Sequence, residues 1–215
     1  MLKYICFVYF FILFHYSTCC AFDSSIASLS KQETNNTMQY THQKFTFRQV
    51  TPDDLVILYR WFKEPHIEKW WPVPETYEDF FEQFLVKIRS KDTFPFIVYM
   101  HDVPFGYIQY YHVDGVTEKT GADWPEFPQT TVGIDQFIGD VQSVGKGYGV
   151  VFIKEFLEYL SSELTPWVTT VVLDPSPDNK AAIRCYEKVG FKPVGVYITA
   201  SGYINFLMRY DIDKK

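Results

Sequence analysis

The chain has 215 residues, 47% hydrophobic and 21% charged, with five Trp, 16 Tyr and 20 Phe, a composition that excludes disorder over its whole length. A domain of this size buries roughly 70% of the surface its unfolded chain exposes, so no metal or disulfide staple is required. Its 20 Lys and Arg against 26 Asp and Glu leave a net charge of −6, which argues against nucleic acid as a partner and suits a cationic small molecule. Cys6, Cys19 and Cys20 fall in the leader and Cys185 stands alone in the rest, which rules out a disulfide framework. The histidines (His15, His42, His66, His101 and His112) lack the paired spacings of a zinc site, so no metal is expected.

Residues 1–21 read as a signal peptide: Lys3, an apolar run from Tyr4 to Phe14, then Cys19 and Ala21 at −3 and −1 of a cleavage point. The run is too short for a stable membrane span at about 1.5 Å per residue. The competing reading is an over-long start with Met38 as the true first residue. Residues 22–43 are rich in Ser, Thr, Asn and Gln and form a flexible linker that carries one sequon, Asn35-Asn36-Thr37.

From residue 44 the pattern is that of one domain. A strand from Phe45 to Val50 precedes Thr51-Pro52-Asp53-Asp54, an N-cap with Pro at N1 and carboxylates in the first turn. Leu55, Leu58, Tyr59 and Phe62 then share a helical face, and Glu64-Pro65 ends the helix. Thr76 and Asp79 cap a second helix, whose Phe81, Phe84, Leu85 and Ile88 are expected in the core. Phe94–Met100 and Phe105–Val113 form a hairpin around His101-Asp102-Val103-Pro104, and Thr131–Phe137 is a third strand of this group. The acidic stretch between them, His112 to Gln129, is long for a structureless connection. A helix over Gly147–Ser161, a strand over Val168–Leu173 and a helix over Asn179–Val189 closed by Gly190 follow. A hairpin of Val194–Thr199 and Ile204–Tyr210 completes the chain. The order β-α-α-β-β-β-α-β-α-β-β describes an α/β (α+β) fold, a mixed central sheet of about seven strands flanked by about four helices.

Gln142-Ser143-Val144-Gly145-Lys146-Gly147-Tyr148-Gly149 lies between a strand and an amphipathic helix. Its glycines let backbone N–H groups approach an anion at a helix N-terminus. It lacks the Lys-Ser/Thr ending of a P-loop and the spacing of a dinucleotide fingerprint. Gln142 to Gly147 resembles QxxGxG, the pyrophosphate signature of the GNAT superfamily of acetyl-CoA-dependent N-acetyltransferases. Gly133-Ile134-Asp135-Gln136 and the stretch from Asp174-Pro175-Ser176-Pro177-Asp178-Asn179 to Gly190-Phe191 are similar to aminoglycoside 6'-N-acetyltransferases. The likeness runs from about Phe47 to Met208 and makes 44–215 the transferase domain.

The resemblance implies acetyl-CoA as donor, held at its pyrophosphate by Gln142, Ser143, Val144, Gly145, Lys146, Gly147, Tyr148 and Gly149. Asn179 would line the pantetheine arm, and backbone N–H near Gln136 and Phe137 would bond the thioester oxygen where the strand splays at a bulge. Tyr186 would protonate the departing sulfur, although with Ala182, Cys185 and Val189 it also fits a buried helical stripe. Asp135, a carboxylate inside an apolar strand, is the expected base or ammonium ligand. Asp174 is a second carboxylate for the substrate, in a segment that is also a turn-former. Trp70, Trp71 and Trp124 would supply aromatic faces, with Asp123 and Glu126 at the rim. Family members carry a charge near the last hairpin where this chain has Ser201-Gly202-Tyr203. A siderophore-assembly acyltransferase acting on a hydroxylysine-like precursor and a CoA-binding protein without turnover are the rival readings. The oligomeric state is open between monomer and dimer. A cytosolic donor implies a cytoplasmic enzyme starting at Met38, the alternative being export through residues 1–21.

Overall fold

The computed structural model describes residues 44–113, 126–198, 202 and 204–213, and the leader and linker expected over 1–43 lie outside them. Strand β1 (Phe45–Gln49) leads through a 3-10 turn at Pro52–Asp54 into α1 (Leu55–Phe62). Here Asp54 Oδ2 accepts the Thr51 backbone N–H at 2.8 Å, closing the expected cap. A one-turn helix α2 (Pro65–Glu68) begins at the proline that ends α1, raising the helix count from the expected four to five among the described residues. Helix α3 (Tyr77–Ile88) starts where Thr76 Oγ1 accepts the Asp79 N–H at 3.1 Å. Its buried side chains are Phe80 and Phe84, and the expected core residues Phe81, Leu85 and Ile88 are only half-buried. The helix is rotated toward the stripe that meets Phe62, whose ring lies 5.4 and 5.8 Å from those of Phe80 and Phe84.

Strands β2 (Thr93–Met100) and β3 (Val103–His112) are joined by a tighter turn than expected, with His101 and Asp102 both in the left-handed region at φ 51° and 63°. Next come β4 (Thr131–Ile138), α4 (Tyr148–Tyr159), β5 (Thr170–Leu173), α5 (Lys180–Val189), β6 (Lys192–Ile198) and β7 (Ile204–Asp211). They build one seven-stranded sheet in the order β1-β2-β3-β4-β5-β7-β6, antiparallel except for β4 against β5. One face is covered by α4 and α5 over Phe45, Phe96, Ile108, Ile134 and Val171, and the other by α1 to α3 over Ile97, Tyr107 and Phe137. No helix among the described residues is long and apolar enough to cross a membrane.

Two irregularities shape the middle of the sheet. The parallel pairing of β4 with β5 covers only Thr131 to Gly133, so from Ile134 to Ile138 one side of β4 has no strand beside it. The other side pairs with β3 without a break from Val132 to Ile138. The bulge expected in β4 is therefore in β3 instead, where the pairing with β2 skips Phe105. That displaced residue's carbonyl accepts both Gly139 N–H (2.9 Å) and Asp140 N–H (3.1 Å), fixing the exit of β4. Gly106 is required beside it, since a Cβ there would stand 2.5 Å from the Phe137 carbonyl oxygen, part of a backbone that cannot yield. Gly106→Ala is expected to lower stability by about 1–3 kcal/mol in urea denaturation, by prying β3 from β4.

Candidate active site

The segment after β4 is built by its own side chains. Asp140 Oδ1 accepts the Gln142 N–H at 3.1 Å and Oδ2 accepts the Ser143 hydroxyl at 2.5 Å, folding Val141–Ser143 into a 3-10 turn. Ser143 is thereby buried and its hydroxyl committed, whereas Gln142, Val144, Gly145, Lys146 and Gly147 are exposed. Gly145 and Gly147 have φ of 78° and 84° with open space where a Cβ would be, and Gly147 is the N-cap of α4. Gly147 makes no side-chain cap bond to this twelve-residue helix, so the start of α4 is an open helix N-terminus of the kind that takes an anion. Tyr148 supports it from below, with Lys44 Nζ 4.1 Å from its ring centroid and Phe105 edge-on at 6.1 Å. Gly149 packs on α5, where a Cβ would meet Cys185 Sγ at 3.0 Å.

Beyond Gly133, β4 has no pairing with β5. Asp135 and Phe137 point to the face of α1 to α3, and Gln136 to the face of α5. Asp135 Oδ2 accepts from Gln109 Nε2 at 2.7 Å, and Gln109 Oε1 accepts the Tyr107 hydroxyl at 2.6 Å. Burial, with the Asp174 charge beside it, pushes the Asp135 carboxyl up to about 7, against the opposing pull of Gln109 and Lys87. Asp174, just past the end of β5, is buried and accepts from the Tyr197 hydroxyl and from Asn205 Nδ2 (3.3 Å). Asn205 Nδ2 also donates to the Tyr197 hydroxyl at 2.9 Å, so the terminal hairpin holds this second carboxylate.

On the far side, the Tyr186 hydroxyl accepts from Gln136 Nε2 at 2.7 Å. That bond occupies phenol oxygen lone-pair density and leaves the phenolic O–H to point elsewhere. Burial holds the phenol far above its ordinary ionisation, with Asp135 and Asp174 adding in the same direction, so it is a proton donor and not an anion. Asp135, Asp174 and the protonated Tyr186 thus lie within electrostatic range of one another, Asp135 on one face of the sheet and Tyr186 on the other.

Other expected site residues fare differently. Asn179 caps α5, its Oδ1 accepting the Ala182 N–H at 3.2 Å. Trp71 is half-buried in aromatic packing, edge-on to Phe62 (5.5 Å), Tyr107 (6.1 Å) and Phe137 (5.4 Å). Trp70 is half-buried and carries Lys69 Nζ 4.5 Å above its ring. Phe137 is itself a core residue. Glu126 is exposed, while Asp123 and Trp124 lie outside the described residues. Sequence reasoning missed Gln109, Tyr107, Lys87, Tyr197 and Asn205. Gln109 had a readable signal, a polar residue amid the apolar run Phe105–Tyr111, the same logic that singled out Asp135.

Residues 51–198 match the family model described as Acetyltransferase (GNAT) domain. The chain belongs to this acetyltransferase family. It is 35% identical over 175 residues to an aminoglycoside N(6')-acetyltransferase type 1 of Klebsiella pneumoniae, covering 79% of this chain and 84% of that one. A solved aminoglycoside acetyltransferase AAC(6')-Ib in complex with coenzyme A and kanamycin is 35% identical, with TM-score 0.68 over 78% of this chain and 94% of that one. An uncharacterized protein from Bacillus halodurans, 23% identical with TM-score 0.70 over 78% of this chain and 83% of that one, shares the fold. Acetyl-CoA is the donor used by this family, and the exposed glycine turn at the N-terminus of α4 fits a diphosphate.

Cys185, the one cysteine among the described residues, is half-buried beside Gly149. Burial pushes its thiol up to about 11, with Lys188 only partly opposing, so at neutral pH it is not a thiolate nucleophile. Steady-state assays of Cys185→Ala are expected to give kcat within about twofold of the parent, whereas a relay would lose orders of magnitude.

Proposed function

We propose that this protein is an aminoglycoside 6'-N-acetyltransferase that moves the acetyl group of acetyl-CoA directly onto a primary amine, with residues 44–215 as the transferase domain. The observation that carries the reading is that Asp135, Asp174 and Tyr186 lie within electrostatic range of one another beside the stretch where β4 has parted from β5. The likeness to aminoglycoside N(6')-acetyltransferases supports the acceptor class over a siderophore precursor. Paired carboxylates in a partly apolar gap match a polycationic sugar, since each new cation is worth more where water is scarce.

In this reading the diphosphate rests on Gln142–Gly149 and the thioester lies along the open side of β4. Backbone N–H there polarises the carbonyl oxygen, a task for main chain because no other strand takes those donors. The acceptor nitrogen attacks the carbonyl carbon, its proton passing to Asp135 directly or through water. The C–S bond breaks as the new C–N bond forms, and Tyr186 delivers a proton to the leaving sulfur. Asp174 holds a second ammonium of the acceptor, and Trp70, Trp71 and the exposed carboxylate Glu126 are the aromatic and acidic groups offered to the rest of it. The reaction is cytosolic because its donor is.

Asp135→Asn is expected to lose at least about a hundredfold in kcat while binding acetyl-CoA as before, and an unchanged rate removes Asp135 from the mechanism. Because the carboxyl must be ionised to accept a proton, kcat/KM of the parent climbs about tenfold per pH unit on the acid side and flattens above about 7. Thiol release measured with acetyl-CoA and a panel of acceptors tests the class. Drugs bearing a 6' amine are expected to react and their 6'-hydroxyl analogues to fail; reaction with hydroxylysine in their place contradicts the reading.

A further inference from the structure

Phe80, Phe84 and Lys87 occupy positions i, i+4 and i+7 of α3, so a lysine closes the stripe by which this helix packs on the sheet. The other charged residues of α3, Glu78, Asp79 and Glu82, are all exposed. A lysine on a buried stripe is expensive unless its charge has a purpose or a counter-charge. The Lys87 Nζ is shielded from solvent and lies 5.0 Å from the Phe84 ring centroid. Phe84 stands 6.0 Å from the Tyr107 ring, whose hydroxyl bonds Gln109, which in turn bonds Asp135. Lys87 thus lies on the face of α3 that meets Tyr107 through Phe84, and two hydrogen bonds lead from Tyr107 to the Asp135 carboxylate.

We propose that Lys87 is a positioning residue for acetyl transfer, a built-in ammonium that keeps Asp135 ionised and therefore able to accept the proton of the incoming amine. The inference rests on the proposed acetyl-transfer reading of this site and adds to it a residue that never touches the acceptor. The described groups acting on Asp135 are Asp174 beyond β5, Gln109 on β3 and Lys87 on α3; Asp135 in turn acts on Tyr107 of β3 and Tyr186 of α5. Of these Lys87 is the only cation. Strand β2, on which α3 packs, has no charged residue, and Arg60 of α1 is exposed. The two opposing charges act on each other through a water-poor space: burial lowers the lysine's proton affinity and Asp135 raises it. Without Lys87, burial and Asp174 would both favour the protonated, inert form of Asp135.

The test is the acid limb of the kcat/KM profile. In Lys87→Met it is expected to move up by about one pH unit, a tenfold loss near pH 6 that fades to less than about threefold at pH 9. Lys87→Arg keeps the charge and is expected to leave the limb in place. A loss equal at every pH, or a limb that stays put in Lys87→Met, overturns the proposal in favour of a purely structural lysine. Should Lys87→Met not fold, Lys87→Gln is read the same way. The intact protein gives a readout free of any folding defect: the Asp135 carboxyl carbon, assigned by NMR against Asp135→Asn, should show a second inflection as Lys87 loses its proton, and a single inflection overturns the proposal. Failure of the acetyl-transfer reading is distinguishable, because it abolishes thiol release in the parent itself.

Discussion

A parallel strand pair that stops after three residues is the constraint on which the rest of this molecule depends. β4 leaves β5 at Gly133, and for the next five residues its backbone has β3 on one side and no strand on the other. Buried main-chain groups without partners are costly, so a sheet held open in this way calls for something to complete it. The surrounding structure is arranged to keep the gap from closing. Phe105 bulges out of the β2–β3 pairing and grips the exit of β4, while His66 Nε2 donates to the Ile138 carbonyl at 2.9 Å. Gly139 lets Trp61 stack where any Cβ would collide with its ring at 2.3 Å. These contacts fix the exit of a strand that has a partner on one side only from Ile134 to Ile138.

The same opening explains the electrostatics. Asp135 sits on the unsupported part of β4 and Asp174 at the tip of β5, so strands that diverge still bring two carboxylates within range of each other. Repulsion and burial make one of them reluctant to ionise. Gln109 and Lys87 work in the other direction, and the balance leaves Asp135 poised near neutrality. Tyr186, by contrast, is kept protonated by the same surroundings, so the two groups proposed as base and acid differ in environment and occupy opposite faces of the sheet.

Much of this was legible in the residues. Caps at Thr51 and Thr76, the glycine turn before α4 and the apolar carboxylate at Asp135 are local signals, written within a few positions of the features they set. What escaped has a common cause in long-range packing. The face of α3 is chosen by Phe62, so Phe80 is buried where periodicity alone preferred Phe81. The turn at His101-Asp102 has no glycine to announce its left-handed backbone. Asn205 and Tyr197 acquire meaning only when β7 and β6 bring them to Asp174, across 31 and 23 residues of sequence. Lys87 breaks the helical pattern by a single charge whose counterpart lies on another strand.

On the proposed function, the glycine turn grips the diphosphate of coenzyme A and so lays the thioester in the open side of β4. Calorimetric titration of the purified protein with coenzyme A and, separately, with pantetheine measures that grip directly. Saturable one-to-one binding of coenzyme A with affinity at least about a hundredfold above that of pantetheine is the predicted result, since the shorter molecule lacks the anion that the cradle holds. No saturable heat with coenzyme A, or equal affinity for the two, would contradict the account.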